Sequence, residues 1–384
     1  MEVREVPSGW QKKRISDIAP LQRGFDLPVK ELKEGSYPVV YSNGIGYYHK
    51  FYKIKGPGVI TGRSGTIGTV HYIEENYWPH NTTLWVTDFK CNDPKYIYFL
   101  FSYIDIEQFA TGSGVPTLNR NDVHLFEALC PPFPEQQAIA EALSDVDAVV
   151  SSLTKLISKK KKIKQGVMQE LLTGEKRLEG FNGEWKIMHV SNIGKTYGGL
   201  AGKTKADFGH GNSKYIPFMN VMSNPVIDMG FLENVKIADG EFQNNVKMGD
   251  LFFNTSSETP EEVGMCSVLL EDVDNLYLNS FCFGFRVNDL SSFYPLYLSY
   301  FFRSDVGRKL MFSLAQGATR YNLSKNYFNK LRVALPGIEE QIAIANIISD
   351  MDAEIEALEQ KLSKYKAIKQ GMMQELLTGK IRLI

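Results

Sequence analysis

Ile163-Lys164-Gln165-Gly166-Val167-Met168-Gln169-Glu170-Leu171-Leu172-Thr173-Gly174 returns near the end of the chain as Ile368-Lys369-Gln370-Gly371-Met372-Met373-Gln374-Glu375-Leu376-Leu377-Thr378-Gly379. Upstream, Glu135-Gln136-Gln137-Ala138-Ile139-Ala140 recurs as Glu340-Gln341-Ile342-Ala343-Ile344-Ala345, and Ser144-Asp145-Val146-Asp147-Ala148 as Ser349-Asp350-Met351-Asp352-Ala353. The offset never changes, and roughly 60% of about 44 positions are identical, which marks an internal duplication.

Each copy carries the apolar period of one long helix. Ile139, Leu143, Val146, Val150, Leu153 and Ile157 alternate four and three apart, as do Ile344, Ile348, Met351, Ile355, Leu358 and Leu362. That spacing is the a/d seam of a coiled coil. Pro134 and Pro336 sit near the starts and Gly174 and Gly379 near the ends, where proline and glycine suit a helix. About 40 residues at 1.5 Å rise predict a rod of order 60 Å. Two stripes of identical spacing bury most simply against each other, and a two-fold-like arrangement would make the pair antiparallel with Leu153 and Leu358 near its middle. Lys155, Lys159, Lys160, Lys161, Lys162 and Lys164 form a charge run whose default reading is a solvated face, with phosphate or partner contact as the lesser one.

The 384 residues allow several domains, and 43% hydrophobic with 23% charged residues is ordinary for globular protein. No apolar run approaches the roughly 18 residues that cross a bilayer, and Met1-Glu2-Val3-Arg4-Glu5-Val6 is too charged for a signal-peptide core, so a cytoplasmic location is expected. Cys91, Cys130, Cys266 and Cys282 lie far apart without ligand spacing; buried, reduced thiols and no metal are expected. The formal net charge of −1 offers no general basic excess. DNA binding would need local patches or cationic partner subunits.

The segments before the helices share a frame. Trp10 leads into Ile15-Ser16-Asp17-Ile18 as Trp185 leads into Val190-Ser191-Asn192-Ile193, with Gly24 and Gly199 in register. At the exits, Gly112 through Leu118 matches Gly317 through Leu323, and Pro131 matches Pro336. The two offsets differ by about 30 residues, which predicts one variable loop inserted in the second half. Short runs such as Tyr37-Pro38-Val39-Val40-Tyr41-Ser42, Gly58-Val59-Ile60-Thr61 and Thr83-Leu84-Trp85-Val86 read as strands, and Pro94 to Phe109 and Phe293 to Phe312 as helical. The expected class is α+β: two mixed globular heads separated by two long helices that form an antiparallel coiled coil, with an internal pseudo-two-fold repeat. The expected segments are 1–133 (first head), 134–178 (first spacer helix), 179–336 (second head) and 337–384 (second spacer helix).

The Glu-Gln-x-Ala-Ile-Ala helix start, the Met-Gln-Glu-Leu-Leu-Thr-Gly ending and the Trp-x4-Ile/Val-Ser-Asp/Asn-Ile opening of each head resemble the specificity subunit of type I restriction–modification enzymes over essentially the whole length. The resemblance implies that each head is a target-recognition domain reading half of a split, asymmetric DNA site, with the helices setting the spacer. It implies two modification subunits as partners, which bind S-adenosylmethionine and methylate adenine, and restriction subunits that use ATP and magnesium. It implies double-stranded DNA as the ligand, no membrane, and no catalytic residue, metal or cofactor in this chain.

Candidate DNA-binding residues follow from loop chemistry. Arg63 and Ser64 lie on the glycine-rich stretch Gly62-Arg63-Ser64-Gly65-Thr66, where an arginine can bond guanine O6 and N7 together. Asn43, Tyr47 and Lys50 belong to a polar-aromatic stretch with Tyr48 and His49. Thr117, Asn119 and Arg120 close the loop that starts at Gly112-Ser113-Gly114-Val115-Pro116. In the second half the counterparts are Asn254 and Ser256 in Asn254-Thr255-Ser256-Ser257, and Arg320, Tyr321 and Asn322 after Gly317-Ala318-Thr319. A solvated turn is the competing reading for each.

Two other functions compete. A coiled-coil scaffold with protein-binding heads explains the near-zero charge but not the duplicated, divergent loops. A chain with its own methyltransferase or nuclease centre would need motifs that Asn224-Pro225-Val226, Glu31-Leu32-Lys33 and Glu184-Trp185-Lys186 only approach; the last aligns with Gly9-Trp10-Gln11, which has no carboxylate.

Overall fold

The computed structural model describes residues 6–112, 114, 116–317 and 319–383; Met1–Glu5, Ser113, Val115 and Ala318, which belong to stretches singled out above, lie outside the described residues. The two long helices are present as Phe133–Thr173 and Ile338–Leu376. Pro134 occupies the first turn of one and Pro336 precedes the other, where no helical N–H is needed. Gly174 at φ 76° and Gly379 at φ 70° turn the chain out of each helix in the left-handed conformation.

Compact units cut across the order of the repeat. One unit is Met1–Leu156 with Leu358–Ile384, the other Ile157–Ala357, so each takes a head, part of the helix that follows it and part of the other helix. Burial explains the division. In the first unit Ile139 and Leu143 share a core with Met373, Leu376 and Leu377. In the second, Ile344 and Ile348 share one with Leu171 and Leu172. Leu153, Ile157 and Ile355 are also buried, while Val146, Val150, Met351, Leu358 and Leu362 are half-buried. The stripe thus feeds the head cores as well as the helix pair.

Within each unit the ion pairs give the helix direction. Lys369 Nζ lies 2.5 Å from Asp147, and Arg382, beyond the helix end, pairs with Glu135 at the other helix's start. In the second unit Lys160 lies 2.7 Å from Glu354, Lys164 pairs with Asp352, and Arg177 pairs with Glu340. One number rises as the other falls, so the segments run antiparallel, as expected. The default reading of the lysine run is corrected for Lys160 and Lys164, which serve this pairing rather than solvent alone.

The first head holds a four-stranded sheet ordered Leu21–Arg23, Thr83–Val86, Gly58–Gly62, Val70–Ile73, and a three-stranded one ordered Gly44–His49, Glu34–Tyr41, Trp78–Pro79. Gln11–Arg14 pairs with Glu127–Cys130, tying the head's start to its exit beside the long helix. The second head repeats the plan: Gly194–Gly198, Cys282–Val287, Leu251–Asn254 and Cys266–Val268 form one sheet, and Glu233–Val235, Phe208–Ile216 and Leu276–Leu278 the other. Lys186–His189 pairs with Arg332–Leu335.

Two sequence expectations are corrected. The extra length of the second head is not one loop. Its largest part replaces the tight turn at Ser42-Asn43 with a segment containing the helix Phe218–Ser223; smaller parts fall around Pro260–Glu262 and in the helix Asp305–Leu314. The thiols are not all buried: Cys91 is exposed, at φ 63° in a left-handed turn after Thr83–Val86. Burial raises the Cys130 thiol and pushes Cys282 up to about 12.

Candidate nucleic-acid interface

In the first head the strand Gly58–Gly62 runs into the loop Arg63–Thr66. Gly62 is required there, because a Cβ would lie 1.7 Å from the Thr66 carbonyl oxygen. Arg63 N–H donates to the Thr82 carbonyl at 2.8 Å, and Leu118 N–H donates to the Arg63 carbonyl at 2.7 Å. Ser64 and Thr117 form a bridge. The hairpin tip joins the same surface: Ser42 N–H donates to Thr82 Oγ1 at 3.3 Å, beside exposed Asn43. Four stretches far apart in sequence therefore meet, around residues 42–43, 63–66, 82 and 117–118, and Asn43, Arg63, Ser64 and Thr117 come together.

The others differ. Asn119 caps the helix Arg120–Leu125, accepting from Asn121 N–H at 3.1 Å, so its carbonyl oxygen has a structural task. Arg120 is exposed. Tyr47 and Lys50 lie toward the far end of the hairpin; Tyr47 packs on Leu27, Val39 and Trp78, and Lys50 lies 6.0 Å from the Phe51 ring.

Residues 80–82 were not singled out by the sequence, yet they brace the site. Arg63 Nη1 donates to the Asn81 carbonyl at 3.2 Å, and the Asn81 amide donates to Asp26, itself 3.1 Å from Arg23. His80 packs on Tyr41 with ring centroids 4.3 Å apart. Burial lowers the His80 pKa, against the pull of Asp26. Its Nδ1 lies 3.1 Å from Thr82 Oγ1. The available signal was the turn-forming His80-Asn81-Thr82 between two β-rich runs.

The second head rebuilds this junction with other side chains. Leu323 N–H donates to the Thr255 carbonyl at 2.8 Å, Thr255 N–H to the Phe281 carbonyl at 2.9 Å, and Ser256 pairs with Asn322. Thr255 therefore stands where Arg63 stands in the first head. Arg320 and Asn322 are exposed, and Tyr321 is half-buried against the core. Asn254 and Ser256 are corrected as candidate readers. Asn254 is fully buried; its amide donates to the Ser256 and Glu262 carbonyls and its oxygen accepts from Met265 N–H. Ser256 is also buried. They hold the loop's shape and offer little to a ligand.

Two of the three motifs that approached catalytic patterns have structural partners. Asn224 and Pro225 carbonyls accept from Arg303 and from Ser299 and Val268, and Trp185 lies against Gly174 and Arg177. Among the described residues, no cluster of three or more His, Cys, Asp or Glu is placed to hold a metal ion. No helix among them is long and apolar enough to cross a membrane.

Two mixed heads with matched loop junctions on a duplicated helix frame have close counterparts. The family described as "Type I restriction modification DNA specificity domain" matches residues 7–165 and 182–366, which is most of the chain. The chain belongs to that family. It is 23% identical to the type I restriction enzyme MjaVIII specificity subunit of Methanocaldococcus jannaschii, over 98% of this chain and 94% of that one. It is 21% identical to the EcoKI specificity subunit of Escherichia coli, over 100% of this chain and 90% of that one. Its fold is similar to the type I restriction-modification S subunit of M. genitalium, with TM-score 0.66, 16% identity and 98% of each chain covered. A second structure, described as bearing on complex assembly and conformational transition of the type I R-M system, gives TM-score 0.58 at 14% identity over 98% of this chain and 100% of that one. Specificity subunits provide DNA target recognition, and two specificity domains in one chain fit two half-sites.

Proposed function

We propose that the first head reads one half-site chiefly through Arg63, with Asn43, Ser64, Thr117 and Arg120 around it, and that the second reads a different half-site through Arg320 and Asn322. The observation that supports this is the doubled junction: the same backbone bonds fix Arg63 in one head and Thr255 in the other. Backbone pairing sets the loops' shape while side chains vary, which suits base-edge readout. The antiparallel helix segments set the non-specific spacer. Two modification subunits carry S-adenosylmethionine and methylate adenine, and restriction subunits supply the ATP- and magnesium-dependent nuclease, in the cytoplasm.

The test is the methylation pattern of a DNA library by the complex assembled with its modification subunits. Arg63→Ala relaxes the base preference in one half-site and leaves the other unchanged. An equal loss on cognate and scrambled DNA would reduce Arg63 to a phosphate contact.

A further inference from the structure

The second head lacks an arginine at the place of Arg63, and its loop junction presents a different group there. Phe281 is 58% exposed. A lone exposed apolar side chain is ordinary on a protein surface and carries no meaning by itself. Its position does. The Phe281 carbonyl accepts from Thr255 N–H at 2.9 Å and from Thr255 Oγ1 at 2.8 Å, and its own N–H donates to Asn279 Oδ1 at 2.9 Å. Asn279 is buried and donates to the Ile216 carbonyl at 3.0 Å, and Gly199 packs so tightly on it that a Cβ would lie 2.0 Å from the Asn279 carbonyl oxygen. The backbone under the ring is therefore held from both sides while the ring stands in solvent.

The matching residue of the first head is Thr82, whose carbonyl accepts from Arg63 N–H in the same way. Thr82 turns its hydroxyl inward, to Ser42 N–H and His80. So one head places a guanidinium on this junction beside an inward threonine. The other places a short threonine, its hydroxyl bonded to backbone, beside an outward phenylalanine. The cationic hydrogen-bond donor is replaced by an apolar surface on a backbone fixed by the equivalent hydrogen bond.

We propose that Phe281 is a specificity-determining residue of the second head, packing on the C5-methyl group of a thymine in its half-site. A methyl is the one apolar feature the major groove displays, and phenylalanine is among the side chains that contact it. Preorganised backbone lowers the entropy lost when the ring is fixed against DNA. The inference rests on the proposed reading of the second head, and its test is built to separate the two.

The complex with its modification subunits methylates a library randomised across the target. Phe281→Ala and Phe281→Leu are compared with the parent and with Arg320→Ala. Phe281→Ala lowers the preference for thymine at one position of one half-site by about tenfold, and Phe281→Leu lowers it less. Replacing that thymine with deoxyuridine, which lacks only the methyl, weakens binding to the parent and leaves Phe281→Ala unaffected. Unchanged base preference in Phe281→Ala, or a half-site with no position sensitive to deoxyuridine, overturns the inference. Loss of modification-subunit binding with base preference intact also overturns it, and makes the ring a protein contact. If Arg320→Ala relaxes that half-site and Phe281→Ala does not, this inference alone fails; if neither variant alters either half-site, the reading of the second head fails with it.

Discussion

Each unit closes its head onto the helices with the same three residue types, and the two closures differ at the tryptophan. In the first, Arg382 donates from Nε and Nη2 to Glu135 at 2.6 and 2.8 Å, its guanidinium lies 5.5 Å from the Trp10 ring, and Trp10 Nε1 donates to Glu135 at 2.9 Å. In the second, Arg177 donates to Glu340 at 2.6 and 2.7 Å and lies 5.8 Å from Trp185, but Trp185 Nε1 is buried with no hydrogen-bond partner among the described residues. Both glutamates are almost fully buried, so each needs its charge matched. The duplication copied the charge pair and the stacking. It did not keep the tryptophan's bond, and that asymmetry makes the first closure the stronger one.

Removing each glutamate breaks that comparison most sharply. Glu135→Ala costs its unit about 3–4 kcal/mol, because it strips Arg382 and also orphans Trp10 Nε1. Glu340→Ala costs about 2 kcal/mol, since Trp185 Nε1 has no bond to lose. Urea melts of the two variants show the difference, and equal losses would deny the Trp10 bond any weight. Acid adds a check. Burial pushes Glu135 up, but the Arg382 and Trp10 hydrogen bonds outweigh it and hold the carboxyl below its ordinary 4.5. Its contribution is then full above about pH 4.5 and is lost as pH falls through the lower folded value. The acid limb of a stability profile should flatten in Glu135→Gln.

The next effect is on recognition. Arg63→Ala lowers discrimination in one half-site by up to about 3 kcal/mol, whereas Thr255→Ala at the matching position lowers it by well under 1 kcal/mol. Competition binding with single-base variants of the target measures both. Thr255 bonds its hydroxyl to a backbone carbonyl, so any larger effect of its loss would have to come through the loop's shape.

Smaller effects sharpen the closures again. Trp10→Phe costs about 2 kcal/mol through a lost bond to a charged acceptor, and Trp185→Phe stays near neutral. The smallest contrast lies at the helix-ending glycines. Both have positive φ, so alanine costs about 1 kcal/mol at either. Gly379→Ala costs more than Gly174→Ala, because its Cβ would meet Pro7 Cγ at 2.5 Å, while that of Gly174 meets only Trp185 at 3.3 Å. Thermal melts of the four variants order these effects.

Local pattern made much of this protein legible. The apolar period and the proline and glycine positions predicted two long helices, because a helix is dictated by residues three and four apart. The Trp-led openings and the matched exits were legible for the same reason. They mark strands that pair at each head's base, Gln11–Arg14 with Glu127–Cys130 and Lys186–His189 with Arg332–Leu335.

Contacts closed over long stretches of chain were settled only in three dimensions. Nothing local to Arg63 announces that Leu118 and Thr82 will fix its backbone, or that Thr255 will meet Leu323 and Phe281 in the same way. Asn254 looked like a polar loop residue and is a buried brace, because the segment that follows folds back and brings Ser256, Glu262 and Met265 to its side chain. The compact units also cross the repeat. An amphipathic stripe states that a helix face must be buried, but not what will cover it. Here the cover is a head together with an oppositely directed segment of the other helix. Sequence therefore determined the two helices, the duplication and the family. Tertiary structure decided which loops meet, which polar residues are consumed in holding them, and which side chains remain exposed on the loop junctions.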